Sequence, residues 1–282
     1  MRIANVDGRL TLLTPDGPVD VATASGGRFG PDPQAAYESF DDLRRWAQDQ
    51  GGPAAGAETG IGDPRLLGPV APAPRQVFAI GVNYRDHAAE GGLGTLPDEP
   101  MVFTKYPSSF SGPVTDVPLP AGSVDWEVEL VAIVSRTARG VDSSRAWEYV
   151  AGLTVGQDLS ERQLQLRGPL PQFSMAKSHP GFSPTGPVLV TPDELPNPDD
   201  LEIGCAVNGE QVQKARTTSM IFPVPQLVAY LSTIVTLYPG DVIFTGTPSG
   251  VGAGRTPQRF LRPGDELSSW VEGIGELKQR FV

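Results

Sequence analysis

Two glutamates, Glu127 and Glu129, stand two residues apart in Asp125-Trp126-Glu127-Val128-Glu129-Leu130, at the head of the apolar run VELVAIV. Side chains alternate faces along a strand, so the two carboxylates point to the same side and lie close together. Neighbouring carboxylates in a half-buried strand repel each other unless a cation sits between them. On spacing alone, the same pattern also suits the solvent face of an edge strand. Asp158 ends the short apolar strand GLTVGQ, ahead of a segment that reads as a helix with Ser160 as its cap. An aspartate there either caps that helix or adds a third oxygen donor. An all-carboxylate set selects hard cations, with Mg²⁺ the first expectation and Mn²⁺ or Ca²⁺ the alternatives.

A base is available as well. Asn83-Tyr84-Arg85-Asp86-His87-Ala88-Ala89-Glu90 follows the strand VFAIGV, and His87 and Glu90 share one face of a helical turn. A carboxylate beside an imidazole orients the ring and strengthens it as a base, which is what activating water requires. The same pair on an open surface does no chemistry. His179, in a Ser-His-Pro-Gly turn, has no evident partner. Arg162, one helical turn beyond Asp158, and Lys177 in FSMAKS are placed to hold a carboxylate or offset developing negative charge. Lys105 and Arg85 are further cations for the same tasks. In FTGTPSGVGAG, Thr245, Gly246, Thr247 and Pro248 stand at a strand end, where N–H groups and hydroxyls can cradle an anion.

Several other chemistries are excluded. The chain has no G-x-S-x-G, no G-x-x-x-x-G-K-[ST] and no H-E-x-x-H, and its two histidines cannot build a multi-histidine metal site. Gly250 to Gly254 is glycine-rich but does not lead into a helix as a dinucleotide-binding turn does. With 22 Lys+Arg against 33 Asp+Glu the formal net charge is −11, which disfavours nucleic acid and anionic membranes as partners. The longest apolar stretch, near Leu227 to Leu237, is interrupted by Tyr230, Ser232, Thr233 and Thr236 and falls short of the ~20 residues a membrane span needs. A single cysteine, Cys205, excludes an internal disulfide framework. With an N-terminus that lacks a signal-peptide pattern, it points to a cytoplasmic protein.

The elements that must position these residues are mostly strands. The 282 residues include 33 Gly and 29 Pro, an excess that favours turns over long helices. VFAIGVNY, MVFTKY, WEVELVAIVS, GLTVGQD, PVLVTP, IGCAVNG, EQVQKAR and DVIFTGTP read as strands, with Asn208-Gly209 as a hairpin turn. SSRAWEYVAG, SERQLQLRG and PVPQLVAYLSTIVTL read as helices, as does the segment from Asp41 to Gln48. RIANVDGRLTLLTPDGPVDV reads as short strands joined by Asp-Gly turns, and GGPAAGAETGIGDPRLLGPVAPAPR as a linker.

NYRDHAAE, FTKYPSSFSGP, DWEVEL, VAGLTVGQDLSERQLQ, MAKSHPGFSPTGP and PGDVIFTGTPSGVG, in this order, closely resemble the fumarylacetoacetate hydrolase family. The resemblance implies an α+β, mainly β fold: a mixed β-roll catalytic domain over residues 71–282, after a small N-terminal α/β accessory domain and linker over 1–70. It implies Glu127, Glu129 and Asp158 as metal carboxylates at the mouth of the sheet, and His87 with Glu90 as a dyad on a short lid helix that orders when substrate binds. Lys177 joins that dyad as a catalytic residue, and Tyr84, Arg162, Gly246 and Thr247 fall where substrate is held. One departure is Lys177-Ser178-His179-Pro180, where relatives often read Lys-Ser-Phe-Asp, a change in the pocket wall. The activity implied is metal-dependent cleavage of a C–C bond in a 1,3-dicarbonyl or acylpyruvate-type substrate, through a metal-bound enolate and with water activated by the dyad. Oxaloacetate decarboxylation and dienedioate isomerisation or hydration are the alternatives. A small anionic oxo-acid or diketone is the implied partner, and a homodimer the implied assembly.

Overall fold

A computed structural model describes residues 1–50 and 61–282, so residues 51–60 of the expected linker lie outside the described residues. The longest apolar runs become the centre of an eleven-stranded mixed sheet. Its main path runs Gly17–Asp20, Arg9–Thr14, Arg2–Val6, Ser183–Val190, Val150–Gln157, Val128–Val134, Val242–Phe244, Val77–Gly81, Met101–Phe103. Val128–Val134 is paired on both sides and every one of its residues is buried. The edge-strand reading of the Glu127–Glu129 pattern is therefore corrected. A strand covered on both faces reads as a continuous run of Val, Leu and Ile rather than as an alternation.

A second sheet of five strands runs Glu210–Arg216, Glu202–Val207, Glu266–Val271, Gly275–Phe281, Val114–Val117. Its first pair is the expected hairpin: Asn208 and Gly209 take φ of 52° and 81°, the positive values that a two-residue turn of matching twist requires. The two sheets meet over Val128, Leu130, Leu153, Val155, Ile203, Cys205, Leu267, Leu277 and Phe281. The opposite face of the large sheet offers Val131, Ile133 and Leu189 to Phe40, Leu43 and Ala47 of the helix Phe40–Gln48. The fold is α+β and mainly β.

Three local expectations change. SSRAWEYVAG is a 3₁₀ segment only over Ser143–Tyr149, after which the strand Val150–Gln157 begins, because VAGLTVGQ pairs on both sides. The helix expected from Ser160 shrinks to Arg162–Gln165, and Glu161 caps it by accepting from the Gln163 and Leu164 N–H groups. Part of the expected linker is structured, since Leu67–Gly68 pairs with Arg2–Val6. The N-terminal residues extend the large sheet, with Ile3 opposite Leu189. Among the described residues no helix is long and apolar enough to cross a membrane.

Candidate metal centre

Strand register brings the three acids together. Val128 lies opposite Gln157, so Glu127 and Asp158 extend the two strands side by side, and the Asp158 N–H donates to the Glu127 carbonyl at 2.9 Å. Glu129 shares the face of Val131 and Ile133. One oxygen from each of Glu127, Glu129 and Asp158 falls within 4.8 Å of the others, and all three residues are buried. Four charge-assisted bonds hold them. Arg162 Nη2 donates to Glu127 Oε1 at 2.5 Å and Lys105 Nζ to Asp158 Oδ1 at 2.5 Å. Lys177 Nζ donates to Glu127 Oε2 and Asp158 Oδ2, each at 2.7 Å. Glu129 has no such cation; its Oε2 accepts the Gly246 N–H at 2.7 Å.

The electrostatics follow from these contacts. Burial works against ionised Glu127, but the charges of Lys177 and Arg162 outweigh it and hold the carboxyl well below the usual carboxylate range. Burial, with Asp158 and Glu127 adding repulsion, drives Glu129 well above that range. Burial lowers Lys105, whereas Asp158 and Glu127 raise Lys177 despite its burial. Four buried acids, counting Asp125, thus meet three buried or nearly buried cations. Three convergent carboxylates with one poorly compensated member form an oxygen set suited to a hard divalent cation. The residues fit such an ion. Tyr84 supports this, because its hydroxyl is buried near Glu129 and finds no hydrogen-bond partner among the described residues.

The base stands at the same centre. His87 and Glu90 lie on the helix Arg85–Glu90, with Nδ1 2.9 Å from Glu90 Oε2. Glu90 Oε1 accepts the Gly250 N–H at 2.9 Å, which ties this helix to the glycine-rich loop. The same loop reaches the acid strand, since the Ala253 N–H donates to Asp125 and the Gly250 carbonyl accepts from the Trp126 indole, so the helix of His87 is tied to the acid cluster. The free ring nitrogen, Nε2, is the one left for a proton.

Other expected residues take different places. Arg162 does hold carboxylates, those of Asp125 and Glu127, and also bonds Gln165. Ser160 does not cap a helix; its hydroxyl donates to the Asp158 carbonyl and accepts from Lys177. The N–H of Gly246 is engaged by Glu129, and Thr247 Oγ1 accepts from Gln213 at 2.9 Å. Arg85 turns away to the carbonyls of Ser219 and Met220. His179 packs on Phe182 with ring centroids 5.0 Å apart. The sequence reading missed Asp125, whose carboxylate takes Arg162 Nε at 2.6 Å and the Ala253 N–H at 2.7 Å. It also missed Gln157 and Gln213, whose side-chain carbonyls accept the Glu127 and Val128 N–H groups. Asp125 had a visible signal, since it continues the alternate spacing of Glu127 and Glu129.

A mainly-β roll with a buried carboxylate cluster, paired lysines and a His–Glu pair at one mouth is the frame of an enzyme acting on small molecules. Residues 76–282 match the family model described as fumarylacetoacetate (FAA) hydrolase C-terminal, and the chain belongs to the fumarylacetoacetate hydrolase family. A provisionally named HpcE protein from Mycobacterium smegmatis is 60% identical over 100% of this chain and 99% of that one, with a TM-score of 0.93. Maleylpyruvate hydrolase from Sphingobium sp. SYK-6, solved in complex with manganese (II) ion and pyruvate, is 29% identical over 100% of this chain and 99% of that one, with a TM-score of 0.77. The human protein named oxaloacetate tautomerase FAHD2A, mitochondrial, is 43% identical over 74% of this chain and 67% of its own length. Family membership supports hydrolase, isomerase or tautomerase chemistry.

Proposed function

We propose that this chain is a divalent-metal-dependent hydrolase that cleaves a C–C bond of an acylpyruvate-type 1,3-dicarbonyl substrate. The observation that carries this reading is the pairing of His87 with Glu90 on a helix that the Gly250–Gly254 loop ties to the strand bearing the convergent carboxylates of Glu127, Glu129 and Asp158. Mg²⁺ or Mn²⁺ suits that oxygen set, and manganese with pyruvate in the Sphingobium relative supports the same substrate class. Bound there, a dication supplies Lewis-acid chemistry toward carbonyl oxygens. The protein's own groups do the rest. Glu90 holds His87 through Nδ1, so Nε2 takes a proton from water and the hydroxyl adds to the distal carbonyl carbon. The C–C bond breaks, its electron pair passes to the oxo-acid fragment, and His87 returns the proton to carbon. The positive charge of Lys177 and the Tyr84 hydroxyl, which has no hydrogen-bond partner among the described residues, would offset the negative charge that gathers on the substrate oxygens.

His87→Ala is expected to lower acylpyruvate cleavage by roughly 10²–10⁴-fold, the contribution of a general base. A variant cleaving at the wild-type rate contradicts the assignment. The human relative, named for oxaloacetate tautomerisation, favours a second reading, turnover of oxaloacetate, with decarboxylation as the other reaction open to the same site. Decarboxylation needs no attacking water, whereas tautomerisation moves a proton from carbon to oxygen through a base, so CO₂ release from oxaloacetate that survives His87→Ala while acylpyruvate cleavage is lost supports the decarboxylase form of that reading.

A further inference from the structure

The three carboxylates share one pattern: a fixed donor takes one oxygen of each, which leaves the other oxygen of each for the common centre. Arg162 takes Glu127 Oε1, the Gly246 N–H takes Glu129 Oε2, and Lys105 takes Asp158 Oδ1. The remaining oxygens of Glu127 and Asp158 both go to one ammonium, that of Lys177, whose third partner is Ser160 Oγ at 2.7 Å.

The two lysines therefore stand on opposite sides of Asp158. Lys105 is wholly buried, donates also to the Lys177 carbonyl and lies 5.8 Å from the centroid of the Phe244 ring. Its ammonium is fixed by main chain on one side and by the outer oxygen of Asp158 on the other. The Lys177 ammonium instead bonds both Glu127 and Asp158 along with the Ser160 hydroxyl, and lies 5.4 Å from the centroid of the Phe103 ring. A dication that takes Glu127 Oε2 and Asp158 Oδ2 lands on the oxygens that this ammonium holds, and like charges at that separation repel.

We propose that the two lysines do opposite work toward a divalent cation: Lys105 is a positioning residue that turns Asp158 Oδ2 inward, and Lys177 is a resident counter-ion that the cation displaces from Glu127 and Asp158. This rests on the metal reading above and assigns each lysine a separate task within it. Loss of the outer partner of a metal-ligating carboxylate weakens binding, typically by 10–100-fold. Loss of a competing charge strengthens it.

The test is a titration of Mn²⁺ into the full chain, following the free-ion signal by electron paramagnetic resonance, with a thermal melt of each variant. Lys105→Met is expected to raise the Mn²⁺ Kd by roughly 10–100-fold. Lys105→Gln, which keeps a donor on a shorter stem, should raise it several-fold. Lys177→Met is expected to lower the Kd about tenfold as a like charge is removed. A lowered melting temperature with an unchanged Kd in Lys105→Met overturns the positioning role. If that variant does not fold, a wild-type Kd in Lys105→Gln overturns it instead. Weaker Mn²⁺ binding by Lys177→Met overturns the counter-ion role. Wild-type protein that takes up no Mn²⁺ overturns the metal reading itself, an outcome distinct from either failure.

Discussion

Burying a carboxylate without a partner costs several kcal/mol, so each acid at this centre is readable through what compensates it. Glu127 has Arg162 and Lys177, Asp158 has Lys105 and Lys177, and Asp125 has Arg162 with the Ala253 N–H. Glu129 has a single main-chain donor and Asp158 and Glu127 as neighbours, which is why it resists ionisation. That asymmetry leaves the centre needing one more positive charge. Cys205 shows the opposite case, a buried group with no chemical task. Burial pushes its thiol well above its ordinary range, so little thiolate exists at pH 8 and alkylation there is slow. We expect iodoacetamide to leave Cys205 unmodified at pH 8 in folded protein and to label it once guanidinium unfolds the chain. Mass spectrometry of the intact protein checks this, and rapid labelling of the folded form contradicts it.

At the scale of elements, the His87–Glu90 pair, the proposed base, depends on a loop distant in sequence. Glu90 is held by Gly250, and a Cβ added at Gly254 would stand 2.6 Å from Glu90 Cδ and 2.7 Å from Cγ. Gly254→Ala is therefore expected to displace Glu90 and slacken His87. Misplacement of a catalytic group on the ångström scale costs roughly 10²-fold in kcat. Steady-state kinetics with a thermal melt checks it: a kcat near wild type contradicts the coupling of loop to helix. This coupling was not legible in the sequence, because 160 residues separate Glu90 from Gly250 and no periodicity links them. The same limit hid the partner of Lys105, 53 residues away. What was legible was local. Alternation placed Glu127 and Glu129 on one face, a three-residue spacing paired His87 with Glu90, and Asn208-Gly209 marked its hairpin. Local reading failed at SSRAWEYVAG and at Ser160, where strand pairing and the Lys177 contact override helix propensity.

For the whole molecule, two sheets converge on the centre and lock it from both sides. Gln213 of the five-stranded sheet reaches the Val128 N–H, Thr247 Oγ1 and the Pro248 carbonyl, while Gln157 of the large sheet reaches Ser269. The net charge of −11 therefore says little about the pocket, where Lys105, Arg162 and Lys177 face four acids and a dication would leave the balance positive. The proposed anionic oxo-acid substrate is therefore compatible with an acidic protein. Incubating the protein and an acylpyruvate with Mn²⁺, before and after chelation by EDTA, with products identified by mass spectrometry, tests this account most directly. The account predicts pyruvate and the matching carboxylic acid in equal amounts, loss of both on chelation, and recovery when Mn²⁺ or Mg²⁺ is returned. Absence of cleavage with the metal present, or cleavage undiminished after chelation, would contradict it.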